Sequence, residues 1–239
     1  SPEKSALCMG SLSWIRASVN AGTPEGYARV HQASPKLFQK VLDNLAAAVE
    51  NKNKANSDCR IGAQFVLIQE NLHEVLPMVR HMAKIGLDYV SIKPYIPHNY
   101  SNHGRKELYD PEDLDRIQRE LDSLDAPDTA VVFRRHGFEK LAAARRPYRK
   151  CMGINFFAEI ISDGNVYTCG PFLGREGHSY GNVYENSFRE LWEGEQRKQV
   201  LQHIDSLDVD RCMPNCRLDE INYYLWELKG HPPTHVNFI

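Results

Sequence analysis

Cysteine is the residue type in this sequence whose spacing points most directly to chemistry. Two cysteines stand alone in the first half of the chain and four gather in the last third: Cys8 and Cys59, then Cys151, Cys169, Cys212 and Cys216. The last two are separated by Met-Pro-Asn, a stretch typical of a tight loop that leads into a helix. Four thiolates carried on turns can form a tetrahedral site for Zn²⁺ or hold an iron–sulfur cluster. The spacing therefore predicts a metal site at these four cysteines.

Other uses of the same cysteines stay open at this point. An even number of cysteines permits disulfides, and a free thiol can also serve as a buried apolar group. The first residues, Ser1 to Ser5, are polar and unlike a secretion signal, so we expect a cytoplasmic protein, in which thiols are kept reduced. A metal site is therefore favoured over disulfides, whereas the spacing alone does not separate zinc from an iron–sulfur cluster.

A β-hairpin is predicted to bring the first two of these cysteines together. Residues 156–162 and 165–169 are rich in apolar and strand-forming residues. Between them, Asp163-Gly164 is the kind of pair that supplies the positive φ angles of a tight primed turn. Because a hairpin returns the chain to where it began, Cys169 is expected near Cys151.

The first half of the sequence alternates between strand and helix patterns. The predicted strands cover residues 13–20, 61–68, 87–94 and 130–133. The predicted helices begin at Ser34-Pro35, near Val75 and at Asp110-Pro111, and Gly86 is expected to cap the end of the second. This β-α-β-α-β-α-β order indicates parallel strands joined by crossover helices, as a barrel or an open sheet. Neither a Gly-x-Gly-x-x-Gly sequence nor a P-loop is present, so nucleotide-binding folds of those types have no support.

Active sites of parallel α/β folds lie at the carboxyl ends of the strands. Here those ends carry polar residues that are either site residues or ordinary turn residues: Ser18, Asn20, Gln69, Asn71, Lys93 and Tyr95. Lys93 stands out because a cation at the end of an apolar strand needs an anionic partner or water. Residues 134–150 are also strongly basic, and form either a solvated helix face or a wall beside an anionic ligand.

Composition excludes two classes of partner. The chain has 239 residues, with 29 Lys and Arg against 31 Asp and Glu, so its formal net charge is −2. A near-neutral chain has no general electrostatic attraction for nucleic acid. No apolar run approaches the roughly 18 residues that a membrane span needs. We therefore expect a soluble globular protein with neither a nucleic-acid nor a membrane partner.

The order of motifs in the last third resembles the SPASM and twitch extensions of radical S-adenosylmethionine (radical SAM) enzymes. The matching pieces are Cys151, Asp163-Gly164-Asn165, Cys169, Tyr180-Gly181-Asn182-Val183, Ser187-Phe188-Arg189-Glu190-Leu191-Trp192, Cys212-x-x-x-Cys216 and Asn222. In the first half, residues 15–24, 61–66 and 92–95 resemble the fourth, fifth and sixth barrel strands of these enzymes. Together the matching pieces cover most of the chain.

This resemblance implies an α/β fold in two domains. Residues 1–146 would form the C-terminal part of a partial (β/α)₆ TIM-like barrel, with strands four to six and their helices. Residues 147–239 would form a small α+β domain, a β-hairpin plus helices, around an auxiliary cluster. The family's catalytic cluster motif, Cys-x-x-x-Cys-x-x-Cys, is not in this sequence. The chain thus looks like the C-terminal two-thirds of such an enzyme, and we expect it to be inactive alone.

The resemblance also implies roles for particular residues. Ser18 and Asn20 would contact S-adenosylmethionine. The four C-terminal cysteines would bind one auxiliary [4Fe–4S] cluster that serves electron transfer or structure. The residues expected to face the substrate are Lys93 and Tyr95, together with His98 and Asn99. Three basic residues adjacent to ligands are expected to raise the potential of the cluster: Arg149, Lys150 and Arg211.

The complete enzyme would be an oxidoreductase or maturase with a second [4Fe–4S] cluster. Its 5′-deoxyadenosyl radical would abstract a hydrogen from a small-molecule or peptide substrate, with electrons from a donor such as flavodoxin or ferredoxin. Two alternatives remain at this point. One is a non-catalytic iron–sulfur or zinc-binding module that recognises a peptide partner, and the other is an ordinary α/β-barrel enzyme with a structural zinc.

Overall fold

The structure, a computed structural model, describes residues 1–97, 109–143, 145–230 and 232. His98 and Asn99 therefore lie outside the described residues. The chain divides into two compact units, the first made of most residues up to Glu139 and the second of most residues from Lys140 onward. Each unit has its own hydrophobic core. In the part of the chain that the structure describes, no helix is both long enough and apolar enough to cross a membrane.

The first unit is built on a parallel sheet. Its strands lie side by side in chain order: β1 Trp14–Ser18, β2 Arg60–Leu67, β3 Tyr89–Pro94 and β4 Ala130–Phe133. The helices are α1 Pro2–Cys8, α2 Pro24–His31, α3 Lys36–Lys54, α4 Val75–Ile85, α5 Pro111–Asp122 and, after β4, α6 Arg135–Ala142, with short 3₁₀ helices at Met9–Ser11 and Gln69–Glu74. The parallel pairing and the alternating order confirm the predicted α/β fold.

The two faces of this sheet differ in chemistry because successive side chains of a strand point to opposite faces. One face is apolar, and on β2 it carries Ile61, Ala63, Phe65 and Leu67, all fully buried. These side chains share a core with residues of α3, α4 and α5. The opposite face carries polar and basic side chains, among them Arg16, Gln64, Ser91 and Lys93. Among the described residues, the helices that share this core therefore pack against the apolar face.

A buried carboxylate holds the turn that follows β1. Glu74 is 1% exposed, and its Oε2 accepts the Gly22 N–H at 2.7 Å. The hydroxyl of Thr23 donates to both carboxylate oxygens of Glu74 at 3.0 Å. The same hydroxyl accepts the Gly26 N–H at 3.1 Å, which caps the start of α2. The turn after the first strand is thus fixed by one charged side chain.

Two helices depart from the sequence prediction. α1 was not expected, and α2 occupies residues that follow the predicted end of the first strand. Thr-Pro at the start of α2 is a helix-start signal, since threonine caps and proline fits the first turn. The capping glycine Gly86, with φ +85°, and the cap at Asp110 are both confirmed.

The second unit combines a small antiparallel sheet with three helices. The strands are β5 Glu159–Ile160, β6 Asn165–Tyr167 and β7 Ser179–Asn182, in that order. The helices are α7 Phe188–Glu193, α8 Glu195–Asp205 and α9 Asp219–Gly230, with 3₁₀ helices at Met152–Phe156, Gly170–Phe172 and Val209–Arg211.

The predicted hairpin is present, but its turn is not the tight primed turn. Only Gly164, with φ +84°, has a positive φ in this turn. The Gly164 N–H donates to the Ile161 carbonyl at 2.9 Å, and the Ile161 N–H donates to the Asn165 carbonyl at 3.0 Å. This is a three-residue loop in which a turn is followed by one left-handed residue. Asp163 instead caps the turn by accepting the Asn165 N–H at 2.9 Å.

Candidate metal centre

The four C-terminal cysteines lie at the edges of short elements rather than within them. Cys151 directly precedes the 3₁₀ helix Met152–Phe156, and Cys169 directly precedes Gly170–Phe172. Cys212 follows the 3₁₀ helix Val209–Arg211, and Cys216 lies on the loop before α9. All four are half-buried and free. The four thiols are therefore carried by loop residues, outside the regular helices and strands.

The structure brings these four thiols into one part of the second unit. Burial raises the pKa of Cys169 to about 12, and negative charge on the other three cysteines acts in the same direction. Burial likewise raises the pKa of Cys216 to about 11, with Cys212 and Cys151 adding to the effect. The pKa of Cys212 is raised by burial and by Cys151. Each thiol therefore lies within electrostatic range of the other three.

The geometry of the four thiols is compatible with either centre that the sequence predicts. Among the described residues, no group of three or more His, Cys, Asp or Glu side chains is already placed to share one metal ion. A tetrahedral Zn²⁺ needs all four sulfurs about 2.3 Å from one point. A [4Fe–4S] cluster places a different iron atom at each cysteine, so its ligands stand farther apart.

An apolar cavity of about 220 Å³ adjoins two of the thiols. It is lined by Cys169, Cys216, Phe157, Pro171, Met213 and Leu218, with Glu159, Gly170 and Arg217 at its polar parts. One carboxylate oxygen of Glu159 is buried without a hydrogen-bond partner among the described residues. The cavity beside Cys169 and Cys216 is thus mainly apolar, with one charged side chain of each sign in its lining.

Two side chains donate hydrogen bonds to these sulfurs. Asn222 is 1% exposed, and its Nδ2 donates to Cys151 Sγ at 3.4 Å. Its Oδ1 accepts the Gly153 N–H at 2.7 Å, so both ends of the amide are used. Thr168 is fully buried, and its hydroxyl lies 3.8 Å from Cys169 Sγ. Donors of this kind stabilise negative charge on sulfur.

Arg146 braces the loop that carries the last two cysteines. Its guanidinium donates to the carbonyls of Cys212 and Met213 at 3.2 and 2.9 Å. The same charge counteracts the effect of burial on the pKa values of Cys151 and Cys212. Arg146 also lies 3.6 Å from the buried carboxylate of Asp219.

Asp219 anchors this arrangement from the first turn of α9. It is 2% exposed, and it accepts hydrogen bonds from Tyr148 at 2.5 Å and from Lys140 at 2.6 Å. Burial, and then the bond to Asp219, raise the pKa of Tyr148 far above its ordinary value. Sequence reasoning placed Arg146 only in a basic run, because nothing in such a run shows which side chain turns inward, and it did not identify Asp219.

Two of the three basic residues expected to tune the cluster, Arg149 and Lys150, have exposed side chains that pair with aspartates. Arg149 is 60% exposed at its side chain and pairs with Asp210 at 3.7 Å. Lys150 is 50% exposed and pairs with Asp205 at 2.9 Å. The structure places Arg146, rather than these two, in hydrogen-bond contact with the ligand loop.

The remaining two cysteines belong to the first unit. Cys8 is exposed at the end of α1, and Cys59 is buried in the core of the first unit. Burial raises the pKa of Cys59, as expected for a thiol packed among apolar groups. Neither cysteine is part of the group in the second unit.

The residues expected at the strand ends differ in exposure and in hydrogen bonding. Ser18 ends β1 and is exposed. The Oδ1 atom of Asn20 accepts the Val66 N–H at 2.8 Å, so this oxygen joins the end of β1 to β2. The side chain of Asn71 is buried and bonds to Asn20 and neighbouring backbone, which makes it a structural residue.

Lys93 and Tyr95 lie at the end of β3. Lys93 is half-buried on the polar face of the sheet. The backbone N–H of Tyr95 donates to the hydroxyl of Tyr109 at 2.9 Å and to the Leu67 carbonyl at 3.1 Å. These contacts fix the backbone at the strand end without using the Tyr95 side chain.

Comparison with known proteins gives a match to one family model. Residues 151–217 match the model of the SPASM iron–sulfur cluster-binding domain, and this range contains all four cysteines of the group. No curated protein matches the chain.

Solved structures match the fold of the chain at low identity. SuiB from Streptococcus suis bound to S-adenosylmethionine has 15% identity and a TM-score of 0.57, covering 84% of this chain and 47% of SuiB. SuiB bound to the precursor peptide SuiA has 16% identity and a TM-score of 0.55, with 84% and 46% coverage. Native anSMEcpe with bound AdoMet has 14% identity and a TM-score of 0.52, with 96% and 68% coverage.

The chain spans about half the length of the SuiB chains that it matches. At these identities the structural likeness establishes the fold alone, an α/β fold shared with these radical SAM enzymes. The family model matches a region within the second unit. The chain is therefore similar in fold to radical SAM enzymes, and its residues 151–217 match the SPASM iron–sulfur cluster-binding domain.

Proposed function

We propose that Cys151, Cys169, Cys212 and Cys216 bind one auxiliary [4Fe–4S] cluster in a radical SAM enzyme that oxidises or matures a peptide. The observation that carries this proposal is the grouping of four half-buried thiols, each within electrostatic range of the others, inside the matched SPASM region. With four cysteines, every iron of the cluster has a protein ligand. The role of the cluster is then electron transfer or structural support rather than direct binding of substrate.

The chain's own residues prepare the cluster site. The apolar side chains of Phe157, Pro171 and Leu218 exclude water from the side of the cavity next to Cys169 and Cys216. Asn222 orients Cys151 by a hydrogen bond to its sulfur. Arg146 holds the backbone of the Cys212 loop and supplies positive charge beside the thiolates. The hydrogen bond from Asn222 and the charge of Arg146 favour the ionised ligands that a cluster requires.

The polar face of the sheet in the first unit is the proposed site of the radical chemistry. When bound, S-adenosylmethionine and its own [4Fe–4S] cluster would supply the radical that takes a hydrogen atom from the substrate, and the auxiliary cluster would carry an electron. Ser18 and Asn20 lie at the end of β1 for contact with S-adenosylmethionine. Lys93 and Tyr95, at the end of β3, lie where a substrate would be held.

A peptide is the proposed substrate class because two structures with this fold were solved with peptides. SuiB was bound to the precursor peptide SuiA, and anSMEcpe was bound to the Kp18Cys peptide. An electron donor such as flavodoxin or ferredoxin would reduce the complete enzyme. These partners belong to the whole enzyme and extend the function proposed for this chain.

Metal analysis of the full chain tests the cluster proposal. After anaerobic reconstitution with iron and sulfide, we expect about four irons and four sulfides per chain and the absorption of an iron–sulfur protein. Cys169→Ala and Cys212→Ala should each lower the iron content sharply and increase proteolysis of the second unit. Cys8→Ala and Cys59→Ala serve as matched controls and should keep the wild-type iron content.

The opposite pattern would overturn the assignment. A colourless chain that holds one zinc would make the site a structural zinc site. Equal iron content in all four variants would show that these cysteines are not the ligands. Iron binding together with unchanged proteolysis in the Cys169 variant would remove the structural role and leave electron transfer.

A further inference from the structure

The polar face of the parallel sheet carries cations on several strands. Arg60, at the start of β2, is paired with Asp88 at 3.8 Å, and three others lie on or beside the other strands. Arg16 lies on β1, Lys93 on β3, and Arg134 directly follows β4. Strand register places Val66 beside Lys93 and Gln64 beside Ser91, so Lys93 and Ser91 share the face of Gln64. The side chain of Arg134 reaches the same face, because its Nε donates to Ser91 Oγ at 3.2 Å. Arg16 is two residues before Ser18, which is the register partner of Gln64, so it shares this face too.

These three cations lack a carboxylate partner in the described part of the chain. No ion pair joins Arg16, Lys93 or Arg134 to an Asp or Glu of residues 1–97, 109–143 or 145–230. Lys93 is half-buried, whereas Arg16 and Arg134 are exposed. Lys52, another half-buried lysine among the described residues, is by contrast paired with Asp88 at 2.7 Å. These three cations therefore concentrate positive charge on the polar face of the sheet, and no Asp or Glu among the described residues pairs with them.

The cations also act on one another. Burial lowers the pKa of Lys93, and the charges of Arg16 and Arg134 lower it further. A half-buried cation beside two others is unfavourable until an anion arrives. Guanidinium groups bind oxyanions with two parallel hydrogen bonds, and an ammonium adds a third contact. The arrangement is thus suited to a carboxylate or phosphate oxygen.

We propose that Lys93 and Arg134 form a binding site for an oxyanion, a carboxylate or phosphate group, carried by the substrate. Both residues lie at the carboxyl end of the sheet, where substrates of parallel α/β folds bind. Arg16 adds positive charge rather than a direct contact, because it pairs in register with Gly62 and its guanidinium lies over the Trp14 ring, 5.6 Å from the ring centroid. Ser91 holds the Arg134 guanidinium in place through the 3.2 Å hydrogen bond. The assignment of the anion to the substrate rests on the proposed function, whereas the site itself rests on the sheet alone.

Titration of the full chain with simple anions tests this site. Calorimetry would follow inorganic phosphate in one arm and succinate in the other, at constant ionic strength set with sodium chloride. We expect saturable one-site binding of at least one anion. Lys93→Met and Arg134→Gln should each weaken it about tenfold or more, while Lys93→Arg retains most of the affinity. Lys40→Met, on the exposed side of α3, is the matched control and should bind like the wild type.

The outcomes separate the sources of the anion. Binding of phosphate alone indicates a phosphorylated substrate, binding of succinate alone indicates an acidic one, and both support the proposal. Absence of binding in both arms, or equal binding by wild type and the folded Lys93→Met variant, overturns it. If S-adenosylmethionine competes with the anion, the carboxylate of that cofactor binds at Lys93 and Arg134. This result would overturn the assignment of the site to substrate.

Failure of the anion-site proposal and failure of the iron–sulfur cluster proposal would give different results. Lys93 lies in the first unit and the four cysteines lie in the second. Iron content should therefore be unchanged in Lys93→Met, and anion binding should be unchanged in Cys212→Ala. Circular dichroism of each variant confirms that it is folded.

Discussion

The hydrogen bond from Asn222 to Cys151 offers a direct test of the site. Asn222→Leu keeps a side chain of similar size and removes both polar atoms. Two contacts are then lost, the donor to the Cys151 sulfur at 3.4 Å and the acceptor of the Gly153 N–H at 2.7 Å. Because Asn222 is 1% exposed, water does not readily replace either of them.

The magnitude follows from these two contacts. A buried N–H left without a partner costs about 1–3 kcal/mol, and the lost bond to sulfur adds about 0.5–1.5 kcal/mol. We therefore expect the free energy of unfolding of the second unit to fall by about 2–4 kcal/mol. Donors to sulfur stabilise the reduced, more negative cluster, so its potential should also fall. At about 59 mV per tenfold change for one electron, loss of a bond of this size lowers it by on the order of 50 mV.

A second substitution separates the two contacts. Asn222→Asp keeps an oxygen that accepts the Gly153 N–H but places a carboxylate against the Cys151 sulfur. The potential should fall in this variant as well, whereas the loss of stability through Gly153 is avoided. Asn53→Asp, on the exposed surface of α3, makes the same chemical change far along the chain and is the control.

The assay is a redox titration of the reconstituted chain followed by electron paramagnetic resonance, with urea unfolding alongside. An unchanged potential in both Asn222 variants would refute the claim that this amide tunes the cluster. A drop in stability without a change in potential would confine Asn222 to holding the Gly153 turn. Either result would be visible without enzymatic turnover.

Three further changes give independent expectations. Arg146→Met should loosen the ligand loop, lower the cluster potential and cost about 1–3 kcal/mol in urea unfolding, because its bonds to two backbone carbonyls are lost. Burial alone would raise the pKa of Asp88, but Lys52 and a backbone N–H outweigh it and lower the pKa below 3.8. Asp88→Asn should therefore cost about 1–2 kcal/mol at pH 7, and unfolding curves of wild type and variant should converge as the pH falls below about 3.8. Glu74→Ala should cost about 3 kcal/mol in the same assay, since the Gly22 N–H loses its buried acceptor, and an unchanged midpoint would contradict the role of Glu74.

The regular part of the fold was accessible from sequence because its signals are local. The continuous apolar run of β2 and the short run of β4 predict strands that the structure confirms, and Gly86 ends a helix as expected. α2 was missed although Thr23 and Pro24 carry a helix-start signal, because Gly22-Thr23-Pro24 was interpreted only as the end of the first strand. The hairpin turn was misassigned because Asp163-Gly164 fits both a two-residue and a three-residue loop, and only the hydrogen bonds distinguish them.

The candidate site was only partly accessible for a different reason. Cysteine is rare and its chemistry is specific, so four clustered positions indicate a metal site by themselves. A basic residue is common, and whether it faces water or a ligand depends on packing between distant segments. Arg146 contacts the carbonyl of Cys212, which is 66 positions away in sequence, and Asp219 contacts Lys140, which is 79 positions away. No local pattern reports contacts of that range.

The size of the second core explains why the cluster is expected to matter for folding. Among the described residues, the second unit has seven buried apolar residues in its core and the first unit has 22. A core that small supplies little free energy to order the irregular loops that carry the ligands. Burial meanwhile raises the pKa of each thiol, so ionised ligands are favourable only when iron compensates their charge. Cluster binding, thiol ionisation and ordering of the loops are therefore one coupled process, and the pH at which the cluster loads should report on all three.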